Sequence, residues 1–279
     1  MKKYVNHYVF EEAKNNGKIT IDENGVAKCA KCGKILESGS GAFLTFIKCV
    51  QCDESVHEVT RAQEEAKRKQ EEAKRTRAAN EARKACFEGE RAFAQTFEND
   101  DATNGEISKK LQNRYIAKFA EFKKKGGGLL FYGGIGTGKT YLARAVLNAL
   151  IDKGYRAKEI QISRVYNAVC ADGERKEAFL NDICKYDIVL IDDLGVERSN
   201  EAMSEFVYSL INTLYEHKTP IVCTTNLAIS HFNSPNLDTN TGRIYSRICG
   251  SCLAIEVNKA NKRTNELKTL IAEWNNCTP

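Results

Sequence analysis

Along this chain the rhythm of apolar and polar positions changes twice. In residues 1–57, short apolar stretches are broken by Cys, Gly and Lys; Asn24-Gly25 suits a hairpin turn and 42–47 reads as a strand. Residues 58–95 alternate Glu, Ala, Lys and Arg, without proline and without a sustained apolar seam. That pattern predicts a solvated helix rather than a coiled coil, with Glu64–Arg68 and Glu71–Arg75 spaced to pair one turn apart. From about residue 107, strand-like and helix-like patches alternate. The runs 128–132, 187–191, 220–223 and 252–257 have strand length, and 141–150 repeats its apolar residues at helical spacing. Such alternation predicts an α/β unit built on a parallel sheet. The expected domains are a small module at 1–57, a charged helical linker at 58–95, and an α/β domain at 96–279.

Candidate chemistry sits at the strand ends. After the strand at 128–132 comes Gly133-Gly134-Ile135-Gly136-Thr137-Gly138-Lys139-Thr140, which fits the phosphate-binding P-loop, and Tyr141 opens the helix behind it. A glycine-rich turn lets backbone N–H groups close around phosphate oxygens, and the helix adds its positive N-terminal end. Lys139 would reach the β/γ-phosphates, and Thr140 would offer its hydroxyl to Mg²⁺.

Downstream, the apolar run ending in Asp192-Asp193 has the form of a Walker B element. A strand beside the P-loop strand would carry Asp192 towards Mg²⁺ and leave Asp193 to polarise the attacking water. The run 220–226 is another strand ending in polar residues, where Asn226 would hydrogen-bond the γ-phosphate or that water. Arg243 and Arg247 stand four apart, on one helix face. Their spacing suits surface ion pairs; an arginine set against the γ-phosphate of a neighbouring subunit would instead stabilise transition-state charge.

The eleven cysteines are not a disulfide framework, because the count is odd and no secretion signal opens the chain. Cys29-x-x-Cys32 and Cys49-x-x-Cys52 are separated by sixteen residues, the template of a four-cysteine zinc site. Gly33 eases the turn after Cys32, and a zinc ribbon is expected, its metal supplying folding free energy to a module with little core. Phe43 and Phe46 among Lys28, Lys31, Lys34 and Lys48 would form that ribbon's small core or, alternatively, stack on single-stranded DNA. The net charge of +5 permits nucleic-acid contact without demanding it, and no apolar run has the length of a membrane span. A cytoplasmic protein is expected.

Taken in order, Thr96-Phe97-Glu98-Asn99-Asp100, the strand and P-loop, Asp192-Asp193-Leu194-Gly195, Thr224-Thr225-Asn226 and Arg243 to Arg247 resemble the DnaC/DnaI-type replicative helicase loaders. These are AAA+ ATPases related to the IstB transposition helpers, and the resemblance covers roughly residues 95–274. It implies an AAA+ P-loop sheet flanked by helices and preceded by the ribbon and linker. It also implies adenine as the base, Asn226 as the sensor-1 residue, Arg247 as the trans-acting finger with Arg243 second, and Arg263 as the sensor-2 arginine. The implied partners are a DnaB-type hexameric helicase held by the N-terminal region, single-stranded DNA, and further copies of the chain. The chain departs from the family where Asp193 replaces the usual Glu, which implies weak Mg-dependent hydrolysis, where no Gly precedes Arg263, and where one helix-length segment stands in place of a large lid. Two other functions share the motifs: a transposition helper acting on duplex DNA, and a nucleotide-switched scaffold without catalysis.

Overall fold

The computed structural model describes residues 14–17, 19–21, 26–34, 37–40, 44–49, 54–100, 105–169, 173–195, 201–232, 234 and 237–258, those from 37 to 64 by their backbone. The chain forms two compact units, residues 1–76 and 77–279.

In the first unit, β1 (Ile19–Ile21) and β2 (Ala27–Cys29) pair antiparallel, with Ile19 opposite Cys29. Strands β3 (Glu37–Ser40), β4 (Leu44–Cys49) and β5 (Glu54–Thr60) form an antiparallel meander whose register shifts between Ile47 and Lys48. At the first cysteine pair, Gly33 N–H donates to Cys29 O at 2.8 Å and Cys29 N–H to Lys34 O at 2.9 Å. This tight turn needs positive φ, and Gly33 supplies it at 71°.

Helix α1 (Arg61–Cys86) begins in the first unit and ends in the second. Its alternating charges match the expected solvated helix only in its first part. Ala79, Ala82 and Cys86, spaced three and four apart, carry an apolar stripe into the second unit's core together with Phe87 and Ala92. The α/β unit therefore begins well before residue 96.

The second unit continues with α2 (Gly105–Lys110), a turn at 111–116 that widens to an Ala117 N–H to Gln112 O bond, and α3 (Phe119–Lys125). Then β6 (Gly128–Tyr132), α4 (Lys139–Asp152), β7 (Ala157–Gln161), α5 (Ile162–Val169), α6 (Gly173–Ile183) and β8 (Ile188–Asp192) alternate. The described chain closes with α7 (Glu201–Glu216), β9 (Ile221–Thr225), α8 (Ile229–Phe232), α9 (Thr239–Ser251) and β10 (Cys252–Glu256). No residue separates α9 from β10.

The five strands from β6 to β10 are all parallel, in spatial order β10-β6-β9-β8-β7. The three inner strands β6, β9 and β8 are buried almost throughout, which is why they read as continuous apolar runs, whereas the edge strand β10 leaves Leu253 exposed. Leu129, Phe131, Ile188, Leu190 and Val222 face one core with Leu142, Val146 and Leu150 of α4. Leu130, Val189, Ile191, Ile221 and Cys223 face the other, with Phe206, Leu210 and Leu214 of α7 and Tyr245 and Ile248 of α9. In such sheets ligands bind beyond the carboxyl ends of the strands, and the ends of β6, β8 and β9 carry the P-loop, Asp192 and Asn226. No helix among the described residues is long and apolar enough to cross a membrane.

Candidate functional site

The loop after β6 is shaped by what its glycines permit. Gly133 has φ of 144°, and a Cβ there would lie 2.4 Å from Val257 O, so no other residue fits without a shift. Val257 N–H donates to Tyr132 O at 2.8 Å, extending the β10–β6 pairing to the mouth of the loop. Thr137 Oγ1 donates to Gly134 O at 3.0 Å, and Ile135 at the loop's tip is 67% exposed. Gly138 caps α4, whose first four N–H groups have no partner within the helix; together with the loop amides they form a cradle for anions.

Lys139 is 5% exposed, and its ammonium donates to Gly133 O at 3.0 Å, Gly134 O at 2.6 Å and Asn226 Oδ1 at 2.8 Å. The P-loop cation and the proposed sensor asparagine, 87 residues apart, thus meet directly. Thr140 Oγ1 donates to Asp192 Oδ1 at 2.9 Å, so the hydroxyl and carboxylate expected to hold Mg²⁺ already share one point. This oxygen set suits a hard divalent cation, and the cradle's glycine geometry suits phosphate: the residues present fit Mg·nucleotide.

Asp193 follows with an exposed carboxylate and φ of 55°. Its N–H donates to Thr224 Oγ1 at 2.9 Å, while Thr224 donates to Asp192 Oδ1 at 2.6 Å. Tyr141 turns its hydroxyl away from the loop to Thr96 O at 2.8 Å, tying the start of α4 to the segment before α2.

Arg243 and Arg247 make no hydrogen bond or ion pair with the P-loop, Asp192, Asp193 or Asn226. They line a separate open groove of about 690 Å³ with Tyr215, Phe232, Leu237 and Asp238. The Arg247 guanidinium lies 5.2 Å from the Tyr208 ring centre and 5.9 Å from that of Tyr215, and its buried Nε has no hydrogen-bond partner among the described residues. Arg263 and Cys52 lie outside the described residues, and Cys49 is described by its backbone alone. Cys29 is buried and Cys32 exposed; among the described residues no group of three or more potential ligands gathers around a metal position.

Sequence reasoning passed over a second polar set. Asn148, 0% exposed, donates to Ala92 O and Gln95 O, both at 2.9 Å, and accepts from Arg83 Nε at 2.9 Å. Arg83 also grips both oxygens of Asp152 at 2.6 Å, and Arg144 pairs with buried Glu159 at 2.7 Å. Burial raises the Glu159 carboxyl above the ordinary range, against the pull of Arg144. Tyr141, Arg144, Asn148 and Asp152 follow one another at helical spacing, a polar stripe on α4 opposite its apolar face. That spacing was the available signal.

Comparison with known proteins agrees with this geometry. The family of IstB-like ATP binding proteins matches residues 51–269. The chromosomal replication initiator protein DnaA of Lactiplantibacillus plantarum is 33% identical over 104 residues, 35% of this chain and 22% of that protein. The uncharacterized protein YdaV of Escherichia coli is 28% identical over 100 residues, 35% of this chain and 40% of its own. The chain thus spans less than half the length of these curated relatives. Among solved structures, that of DnaI superposes with a TM-score of 0.52 at 20% identity, covering 63% of this chain and 94% of that one. The DnaC helicase loader gives 0.52 at 22% identity, covering 61% and 99%. These two share the fold, the AAA+ P-loop sheet flanked by helices. With the family match spanning most of its length, this chain belongs to the IstB-like ATP binding proteins.

Proposed function

We propose that the chain is an ATP-controlled loader that escorts a replicative hexameric helicase to single-stranded DNA. The observation that carries the reading is the joined cluster of Lys139, Asn226, Thr140 and Asp192 at the strand ends of a fold shared with DnaI and the DnaC helicase loader. The family match and the partial likeness to a replication initiator support it.

In this reading the loop amides and Lys139 bind the phosphates of ATP, and the Lys139–Asn226 contact becomes the detector. As phosphate oxygens take over the lysine's protons, the Asn226 amide is released to turn towards the γ-phosphate or the water attacking it. Thr140 and Asp192 would hold magnesium, which supplies positive charge against the β- and γ-oxygens. Asp193 orients the attacking water. Its side chain is one carbon shorter than a glutamate's, so turnover is slow and ATP acts chiefly as a state marker: bound for DNA gripping, hydrolysed for release. Arg247, with Arg243, meets the nucleotide of an adjacent copy.

The N-terminal module takes the helicase. Cys29, Cys32, Cys49 and Cys52 hold zinc in this reading, which the tight backbone turn from Cys29 to Gly33 supports. A transposition helper is the rival reading, favoured by the name of the matched family. The deciding experiment is retention of a purified replicative helicase by the full chain and by a chain starting at residue 77, with and without Mg·ATP. Retention by the full chain alone supports the loader. No retention under any nucleotide condition, with duplex DNA and a transposase bound instead, establishes the helper. A scaffold without catalysis would keep its function in Asp193→Asn; a loader would stall.

A further inference from the structure

We propose that Thr224 is the positioning residue of the catalytic turn, holding both Walker B carboxylates at their working angles. The inference rests on the nucleotide reading above and assigns a role to a side chain that the motif Thr224-Thr225-Asn226 contains but leaves without one.

Thr224 stands one residue before the end of β9 and is 0% exposed. Its hydroxyl has one proton to give and gives it to Asp192 Oδ1 at 2.6 Å. The same oxygen accepts the Asp193 N–H at 2.9 Å. One hydroxyl therefore binds the side chain of the first acid and the backbone of the second, and each bond adds to the other's strength. The neighbouring backbone locks the arrangement from behind: Leu194 N–H donates to Thr224 O at 2.8 Å, and buried Thr225 donates to Leu194 O at 2.7 Å.

The turn needs this restraint because Asp193 adopts φ of 55°, a left-handed conformation that is unfavourable for an L-residue with a side chain. Short polar residues tolerate it best, and only when the surroundings over-determine it. Without the Thr224 oxygen the Asp193 amide loses that acceptor, and the turn loses one of the restraints that hold it against relaxing towards negative φ. That swings the Asp193 carboxylate off its line. Asp192 meanwhile retains only the Thr140 hydroxyl of the two that now fix its Oδ1. Since Thr140 is itself wanted by the magnesium site, Thr224 is the partner that keeps Asp192 oriented once the site fills.

Thr224→Val keeps the shape and removes the hydroxyl; Thr224→Ser keeps the hydroxyl and removes a methyl. In the nucleotide-free proteins, amide exchange at Asp193 is expected to stay slow in the parent and in Thr224→Ser and to become fast in Thr224→Val. ATP affinity through the P-loop is expected to change less than about threefold, while single-turnover hydrolysis falls on the order of 10–100-fold in Thr224→Val and recovers in Thr224→Ser. Unchanged Asp193 exchange in Thr224→Val overturns the proposal, as does equal loss of hydrolysis in the valine and serine variants, which marks a packing role. If the parent chain itself does not hydrolyse ATP, hydrolysis drops out of the proposed function, and Asp193 exchange still decides the role of Thr224.

Discussion

Gly133 concentrates two demands at one Cα: positive φ, and passage of the backbone past Val257 O where a Cβ would sit at 2.4 Å. Gly133→Ala is therefore expected to destabilise the second unit by about 3 kcal/mol, read by urea unfolding, and to abolish ATP binding. The thiols divide as sharply. Burial pushes Cys86 up to about 12, the Glu159 charge adding to it, and burial likewise raises Cys252 to about 12. Thiolate being the nucleophile, both are expected to resist alkylation at pH 8 until the protein unfolds, while exposed Cys249 is modified before them, though slowly, its thiol also raised by partial burial. Peptide mass spectrometry over a time course checks the order. The P-loop, Asp192 and Asn226 were legible in the sequence because each is a short contiguous signal at a strand end. Thr224, Asn148 and Arg83 were not, because each acts on partners 32, 56 and 65 residues away that local pattern does not name.

At the level of elements, the polar stripe of α4 is a joint within the second unit. It holds the segment from Arg83 to Thr96, which charge alternation had marked as exposed linker. Asn148→Ala strands two backbone carbonyls at a buried site and takes the acceptor from Arg83 Nε, which leaves Arg83 its bonds to Asp152. A loss of about 2–4 kcal/mol is expected, seen as a lower urea midpoint with the same slope. Helix α9 shows a smaller joint. Asp238 caps it by accepting Thr241 N–H at 2.9 Å, and the Thr241 hydroxyl and amide hold the Asp238 carboxyl below the usual aspartate range. A depressed acid stabilises the fold above its unfolded pKa and loses that contribution as pH falls through its folded pKa. Asp238→Ala is thus expected to cost about 1 kcal/mol at pH 7 and almost nothing in strong acid, by thermal melts across that range. The parallel sheet and four of its five strands were readable from hydrophobicity; β7 (Ala157–Gln161) was not, because Lys158, Glu159 and Gln161 interrupt its apolar pattern. The start of the α/β unit was not, because only Ala79, Ala82 and Cys86 reveal the stripe, and small residues carry a weak periodic signal.

For the whole molecule, the division at residues 76 and 77 implies separate stabilities. If zinc holds the four cysteines, a strong chelator is expected to melt the first unit and leave ATP affinity intact, measured by fluorescent-nucleotide titration beside circular dichroism. Equal loss of both would mean that the first unit props up the second. In the α/β unit the strand that leads into the P-loop, β6, lies next to the edge strand β10. Helix α9 passes into β10 without a loop, β10 lies against β6, and Val257 presses on Gly133. A body that pulled on Arg243 or Arg247 from outside would act on a helix that runs straight into the strand paired with β6, next to the loop at Gly133. In a ring of such chains, the occupancy of one cradle would be felt at the next as mechanical tension, and the order of firing around the ring would be a property of the joint rather than of the nucleotide.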